Sequence, residues 1–132
     1  MDYQEILNLP KTIAIVGLSD DSTRPSYQIA QYLINTGYKI IPVNPTIDEV
    51  LGLKSYPNIS SVPADIKIDI VDVFRRSEQV VPIVEDIIKS GRKPFIWFQE
   101  GVENIEAQKL AQDHNLDMVQ NLCIMKTHWG LK

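Results

Sequence analysis

Cysteine, histidine and net positive charge are scarce in this chain of 132 residues, and the scarcity excludes several classes of protein. Cys123 is the single cysteine, so the chain can form neither an intrachain disulfide nor a cysteine-based zinc cluster. The formal net charge of −4 argues against a general nucleic-acid binder, which usually carries a basic stripe. No apolar run reaches the roughly 20 residues of a membrane span, and no basic start followed by an apolar run opens the sequence. We therefore expect a cytoplasmic protein without a nucleic-acid or membrane partner.

The motifs of familiar catalytic and metal sites are also missing. The sequence has no HExxH, no Walker lysine, no nucleophile elbow and no paired-carboxylate spacing. His114 falls late in a helical pattern, where contact with the helix carbonyls is its expected role. Packing in the core is the expected role of Cys123. No catalytic or metal-binding residue is predicted, and a binding protein without chemistry of its own fits the sequence better than an enzyme.

Strand and helix patterns alternate along the whole chain. Short apolar runs predict strands at 11–16, 39–43, 69–74, 94–98 and 116–119. Helical spacing predicts helices at 25–36, 77–90 and 105–114, with an arm or short helix at 1–10 and a last helical turn within 121–132. Pro82 places the regular start of the second helix near itself, and 44–68 is less regular. The alternation predicts one α/β domain over 1–132, a doubly wound and mostly parallel five-stranded sheet flanked by helices.

The loop after the first strand is the most informative part of the chain. An apolar run stops at Gly17, a polar loop follows, and a helix pattern begins at Pro25 and Ser26. This layout presents backbone N–H groups and a helix N-terminus, which together suit a phosphate. Further phosphate donors are Ser19, Ser22, Thr23 and Arg24. The alternative is a solvated loop in which Ser26 only caps the helix.

The second strand narrows the class of ligand. It ends in Val43, Asn44 and Pro45, with no acidic residue where an NAD-binding fold usually places its ribose acceptor. Because proline keeps the preceding residue out of the helical region, these residues also fit a purely structural turn. We predict a phosphorylated, nucleotide-type ligand other than NAD.

The third and fourth strands each end in further candidates. Arg75 and Arg76 follow the third strand, where an arginine can pair with a phosphate while Val73 or Phe74 lies against a base. The alternative is that one arginine is solvated and the other pairs with a carboxylate such as Asp72. After the fourth strand, Gln99 to Gly101 follow, and the glycine would let the backbone approach a ligand closely.

At these residues the chain resembles the small stand-alone CoA-binding proteins with a Rossmann-like fold, whose domain is similar to the N-terminal CoA-binding domain of the succinyl-CoA synthetase alpha subunit. The resemblance runs from about Lys11 to Cys123 and includes several linked motifs in the same order. The motifs are Ile15–Ser19, Arg24–Tyr27, Gly37–Pro45, Ile70–Arg76 and Trp97–Gly101. Nothing in the chain corresponds to the synthetase domain that carries a phosphorylated histidine, so the resemblance implies CoA binding and not the synthetase activity.

The resemblance implies that CoA lies across the strand ends. The phosphates would be held by Gly17, Ser19 and 24–26, the adenosine part would lie between 43–45 and 73–76, and the pantetheine arm would lie near 99–101. The predicted ligand-binding residues are Gly17, Leu18, Ser19, Arg24, Pro25, Ser26, Val43, Asn44, Pro45, Val73, Phe74, Arg75, Arg76, Gln99 and Gly101. An arginine-bearing site without an acidic ribose acceptor suits the ribose 3′-phosphate of CoA better than the free hydroxyls of NAD.

Three functions remain open on the sequence. The first is a non-catalytic CoA-binding module that serves as a carrier, a sensor or a subunit supplying CoA or acyl-CoA to a partner enzyme. The second is an NADP-linked or acyl-CoA-dependent enzyme assembled as a homo-oligomer, against which the missing acid–base pair counts. The third is a regulatory interaction domain that has kept the fold and lost the ligand.

Overall fold

A computed structural model describes residues 1–131, and its elements follow the predicted order. The strands are β1 (Thr12–Val16), β2 (Lys39–Val43), β3 (Glu49–Val50), β4 (Leu53–Lys54), β5 (Ile70–Val73), β6 (Phe95–Phe98) and β7 (Met118–Val119). The helices are α1 (Tyr3–Ile6), α2 (Pro25–Asn35), α3 (Val81–Lys89), α4 (Ile105–Asp113) and α5 (Ile124–Trp129). Single 3-10 turns occupy Ile59–Ser61 and Ser77–Gln79. Lys132, the last residue of the predicted C-terminal segment, lies outside the described residues.

The main sheet has five strands in the order β2-β1-β5-β6-β7, and every neighbouring pair is parallel. The predicted doubly wound, mostly parallel sheet is therefore confirmed. The chain first moves outward from β1 to β2 and then returns to place β5 on the other side of β1. The switch point thus lies between β1 and β5, and ligands of such sheets bind beyond the carboxyl ends of the strands at this point.

Both faces of the sheet are covered, which explains why the strands appear in the sequence as continuous apolar runs. Ala14, Val71 and Phe98 lie on the face that packs with α3 and α4. Ile15 and Trp97 lie on the opposite face, with α2 and α5. Trp97 is fully buried, and its indole N–H donates to the carbonyl of Leu122 at 2.8 Å, which ties the C-terminal segment to β6.

Helix α3 begins later than the full helical pattern at 77–90. A 3-10 turn occupies Ser77–Gln79, and the α-helix starts at Val81 with Pro82 in its first turn. Proline has no N–H to donate, so it is tolerated only where a helix leaves its first N–H groups unbonded. The expected start near Pro82 is confirmed.

The irregular segment 44–68 is held in place by two side chains of the α3 region. The carboxylate of Asp86 accepts from the N–H groups of Ile59 at 2.7 Å and Ser60 at 3.3 Å. The guanidinium of Arg92 donates to four backbone carbonyls, those of Ile59, Val62, Pro63 and Ile66. These contacts fix the second half of the segment against α3, whereas its first half contains the short strands β3 and β4. In the part of the chain that the structure describes, no helix is long and apolar enough to span a bilayer.

Candidate functional site

A cavity of about 880 Å³ lies at the carboxyl ends of β1, β5 and β6, within the size range of small-ligand sites. It therefore occupies the edge of the sheet where the switch point predicts a ligand. The predicted residues that line it are Gly17, Ser19, Arg24, Pro25, Ser26, Phe74, Arg75, Arg76 and Gln99. Glu100, which lies within the predicted range 99–101, lines it as well. Lining residues that sequence reasoning missed are Gln28, Ile29, Val102, Cys123, Met125 and Lys126.

The other predicted residues do not line this cavity. Val43 and Pro45 line a second, smaller cavity of about 200 Å³, and Arg75 lines both. Leu18 and Val73 are fully buried in the core, whereas Gly101 is exposed and donates its N–H to Asn121 Oδ1 at 2.7 Å. Asn44 is buried and donates through Nδ2 to the carbonyl of Leu18 at 3.0 Å. Asn44 therefore braces the loop after β1.

The loop after β1 is shaped by its own side chains. The Ser26 hydroxyl accepts from the N–H of Ser19 at 3.0 Å, and the Ser19 hydroxyl accepts from the N–H of Asp21 at 3.0 Å. Asp21 Oδ1 then accepts from both the N–H and the hydroxyl of Thr23, at 2.9 and 2.7 Å. The hydrogen bonds from Thr23 hold the pKa of the exposed Asp21 carboxyl below its usual value. Asp20 and Asp21 are both exposed and do not line the cavity.

The alternative in which Ser26 caps α2 is wrong. Arg24 occupies the N-cap position and makes no side-chain capping bond, while Ser26 braces the loop instead. The first turn of this 11-residue helix therefore keeps N–H groups that no side chain caps. Ser19, Arg24, Pro25 and Ser26 bring this turn and the loop to one end of the cavity. That end combines backbone donors, hydroxyls and a guanidinium, which is chemistry suited to a phosphate.

Gly17 is the point of closest approach between β1 and the segment after β5. Its φ is +87°, and a Cβ atom there would lie 2.5 Å from the carbonyl oxygen of Phe74 and 3.2 Å from Nε of Arg75. Glycine is required because its lack of a side chain lets Arg75 pass over the strand end. The arginine is thereby placed between the two cavities.

Arg75 and Arg76 form no ion pair within residues 1–131. The alternative in which Asp72 neutralises one of them is wrong. The Asp72 side chain is fully buried, and neither of its carboxyl oxygens has a hydrogen-bond partner among the described residues. Burial raises the pKa of this carboxyl well above its usual value. The positive charge of both arginines is therefore available to an anionic ligand.

The C-terminal segment forms the other end of the cavity. Leu122 donates its N–H to the carbonyl of Phe98 at 3.2 Å, and the N–H of Ile124 donates to Oε1 of Gln99 at 2.9 Å. These bonds bring Cys123 and Met125 into the cavity wall. Because ligands of parallel sheets bind beyond the carboxyl ends of the strands, the position of these residues after β7 could have identified them. Within the described residues, no group of three or more His, Cys, Asp or Glu side chains could hold a metal ion.

Comparison with known proteins gives relatives of two sizes. An uncharacterized protein of Bacillus subtilis, YneT, is 41% identical over 127 residues, covering 96% of this chain and 92% of that protein. An ADP-forming acetate–CoA ligase of Methanocaldococcus jannaschii is 29% identical over 98% of this chain, which corresponds to only 20% of the ligase. A hypothetical protein of Pyrococcus horikoshii with a solved structure has a TM-score of 0.90 and 41% identity, over 97% of this chain and 88% of that one.

The family described as CoA binding domain matches residues 11–129. The match includes β1, the loop that Gly17 opens, the two arginines after β5 and the C-terminal wall of the cavity. The N-terminal helix α1 precedes it. Because the match spans most of the chain, the chain belongs to the CoA-binding domain family.

Proposed function

We propose that the protein binds coenzyme A across the carboxyl ends of β1, β5 and β6 as a non-catalytic module, acting in the cytoplasm as a carrier or sensor or supplying CoA to a partner. The observation that carries the proposal is Arg75, which lines both cavities and has no carboxylate partner among residues 1–131. A ligand with phosphates near its middle and a base at one end can occupy both cavities with its charge beside this guanidinium.

The two cavities differ in the chemistry that they offer. The smaller one is lined by apolar groups of Val16, Val43, Pro45, Ile59 and Ile83, which suit a purine ring. In the larger one, the arginines and the α2 turn suit the phosphates, while Val102 and Met125 suit the methylene groups of the pantetheine arm. The single cysteine fits a reducing compartment, where disulfides are rare.

The relatives support CoA over other nucleotides. The acetate–CoA ligase of Methanocaldococcus jannaschii contains a segment similar to nearly all of this chain. The ligase is about five times longer, so its reaction is not proposed for this protein. NADP also carries a phosphate on a ribose, and it is the rival ligand that the experiment must exclude.

Arg75→Ala is expected to weaken CoA binding about 10- to 100-fold, because a charge-assisted hydrogen bond contributes about 1.5–3 kcal/mol. Calorimetric titration of CoA into the ligand-stripped wild type and the variant measures the change. Lys109→Ala is the matched control, since Lys109 is an exposed cation on α4 that lines neither cavity. Equal affinities for the wild type and both variants would overturn this placement of the ligand.

A further inference from the structure

Cys123 and Gln99 both line the cavity at the end formed by the C-terminal segment, and a hydrogen bond joins Gln99 to the residue after Cys123. Cys123 lines the cavity and is 6% exposed. Gln99 also lines it and is 4% exposed. Its Oε1 accepts from the N–H of Ile124 at 2.9 Å, which holds the carboxamide against the peptide that follows Cys123.

The nitrogen of the Gln99 carboxamide has no acceptor in the described part of the protein. Within residues 1–131, Nε2 donates to no group, and it is not one of the fully enclosed unpaired atoms, so it remains open to the cavity. A nearly buried amide donor without an acceptor costs free energy, and a ligand carbonyl in the cavity would supply the missing bond. This is an observation independent of the thiol, and it points to an amide-bearing ligand.

The pantetheine arm of CoA carries this combination of groups. Its terminal amide is joined through its nitrogen to two methylene groups and then the sulfur, so the amide carbonyl, an acceptor, and the thiol lie at the same end. Gln99 Nε2 offers a donor for the carbonyl, and Cys123 lines the same cavity one residue before Ile124, to which the Gln99 carboxamide is bonded. Val102 and Met125 line the same cavity and offer apolar contacts to the methylene groups.

Given CoA as the ligand, on which this inference rests, we infer that Cys123 forms a mixed disulfide with the CoA sulfur while Gln99 holds the terminal amide. The co-reactant is a CoA disulfide. The thiolate of Cys123 attacks one sulfur of that disulfide, the sulfur–sulfur bond breaks, and one new bond joins Sγ to CoA. The second CoA leaves as a thiolate and takes up the proton that Cys123 lost. The exchange involves no net oxidation. The fraction of Cys123 in the mixed disulfide therefore depends on the ratio of CoA disulfide to CoA.

Intact-mass spectrometry of the full chain after incubation with CoA disulfide tests the inference. Oxidised glutathione at the same concentration is the control, a disulfide that the proposed site does not bind. The expected adduct is heavier by one CoA less two hydrogen atoms and is reversed by dithiothreitol. We expect it to form at least about tenfold faster than the glutathione adduct, because binding raises the local concentration of the disulfide. The chain has a single cysteine, so the adduct can only lie on Cys123.

Two variants and one titration separate this inference from the proposed function. Cys123→Ser should form no adduct and should fold, since serine is favoured at the N-cap position that Cys123 occupies. Arg75→Ala should slow the reaction with CoA disulfide toward the glutathione rate, whereas Lys109→Ala should keep the wild-type rate. A CoA rate equal to the glutathione rate overturns the inference. If reduced CoA binds the wild type in dithiothreitol but CoA disulfide forms no adduct, the mixed disulfide is wrong and the proposed function stands. If reduced CoA does not bind, both the mixed disulfide and the proposed function are wrong.

Discussion

Gly17→Ala is expected to lower the free energy of unfolding by about 2–4 kcal/mol and to abolish CoA binding. The residue has a φ of +87°, which a residue with a side chain adopts only under strain. The added methyl group would also lie 2.5 Å from the carbonyl oxygen of Phe74, the residue after β5, whose N–H donates to the carbonyl of Val16 at 2.8 Å. Arg75, whose Nε would be 3.2 Å away, would be displaced with it. Urea unfolding and CoA titration measure the two effects.

Gly52→Ala is the matched control for this prediction. Gly52 also has a positive φ, of +73°, but a Cβ atom there would meet nothing within 4 Å. In the control, only the backbone strain should lower the free energy of unfolding, by about 1–2 kcal/mol. The control should bind CoA as the wild type does. Equal losses of stability in the two variants, or wild-type CoA affinity in Gly17→Ala, would contradict the role assigned to the close approach.

Asp72→Asn is expected to stabilise the protein, and increasingly so as the pH rises from about 4 toward neutrality. Asp72 lies at the centre of the sheet, in register with Ile15 and Trp97, and both of its buried oxygens lack a hydrogen-bond partner among residues 1–131. Burial disfavours its charged form and raises its folded-state pKa well above the ordinary 3.8. The folded protein therefore retains a proton that the unfolded chain releases.

This linkage fixes the sign of the pH dependence. The stability contributed by the protonated carboxyl is fully present below pH 3.8 and is lost as the pH rises through the folded-state pKa of Asp72. Between these two pH values, the free energy of unfolding of the wild type falls by up to about 1.4 kcal/mol per pH unit relative to that of Asp72→Asn. The difference reports on Asp72 alone, because the two proteins share every other titrating group. Urea unfolding of both at a series of pH values measures the gap. A gap that stays constant with pH would show that Asp72 is not an isolated buried acid.

The order of elements and the edge of the sheet that carries the site could be predicted because both depend on local pattern. Continuous apolar runs specify buried parallel strands, and the alternation with helices leaves few ways to connect them. Gly17 and the arginines after β5 could be identified because they stand at strand ends, where topology alone determines which residues meet. The stretch from Pro25 onward was recognisable as a helix start because proline is favoured in a first turn.

The rest of the site depends on contacts between residues distant in sequence. The serine at 26 looks like a cap, but its hydroxyl is taken by Ser19 across the loop. Asp72 looks like a partner for the neighbouring arginines, but strand alternation turns its side chain into the core. The C-terminal wall of the cavity requires α5 to fold back onto β6, which is fixed by the bonds of Trp97 and Gln99 to residues more than 20 positions away. The position of these residues after β7 indicates the edge of the sheet that they face, but not these contacts.

The most direct test of CoA binding is calorimetric titration of the purified, ligand-stripped protein with CoA, with dephospho-CoA and NADP titrated in parallel. We expect CoA to bind with micromolar affinity, and dephospho-CoA and NADP to bind at least about tenfold more weakly, because in the proposed site the 3′-phosphate of CoA would pair with arginine. Absence of heat with CoA, from protein shown by circular dichroism to be folded, would contradict the proposed function. Tighter binding of NADP than of CoA would contradict it as well.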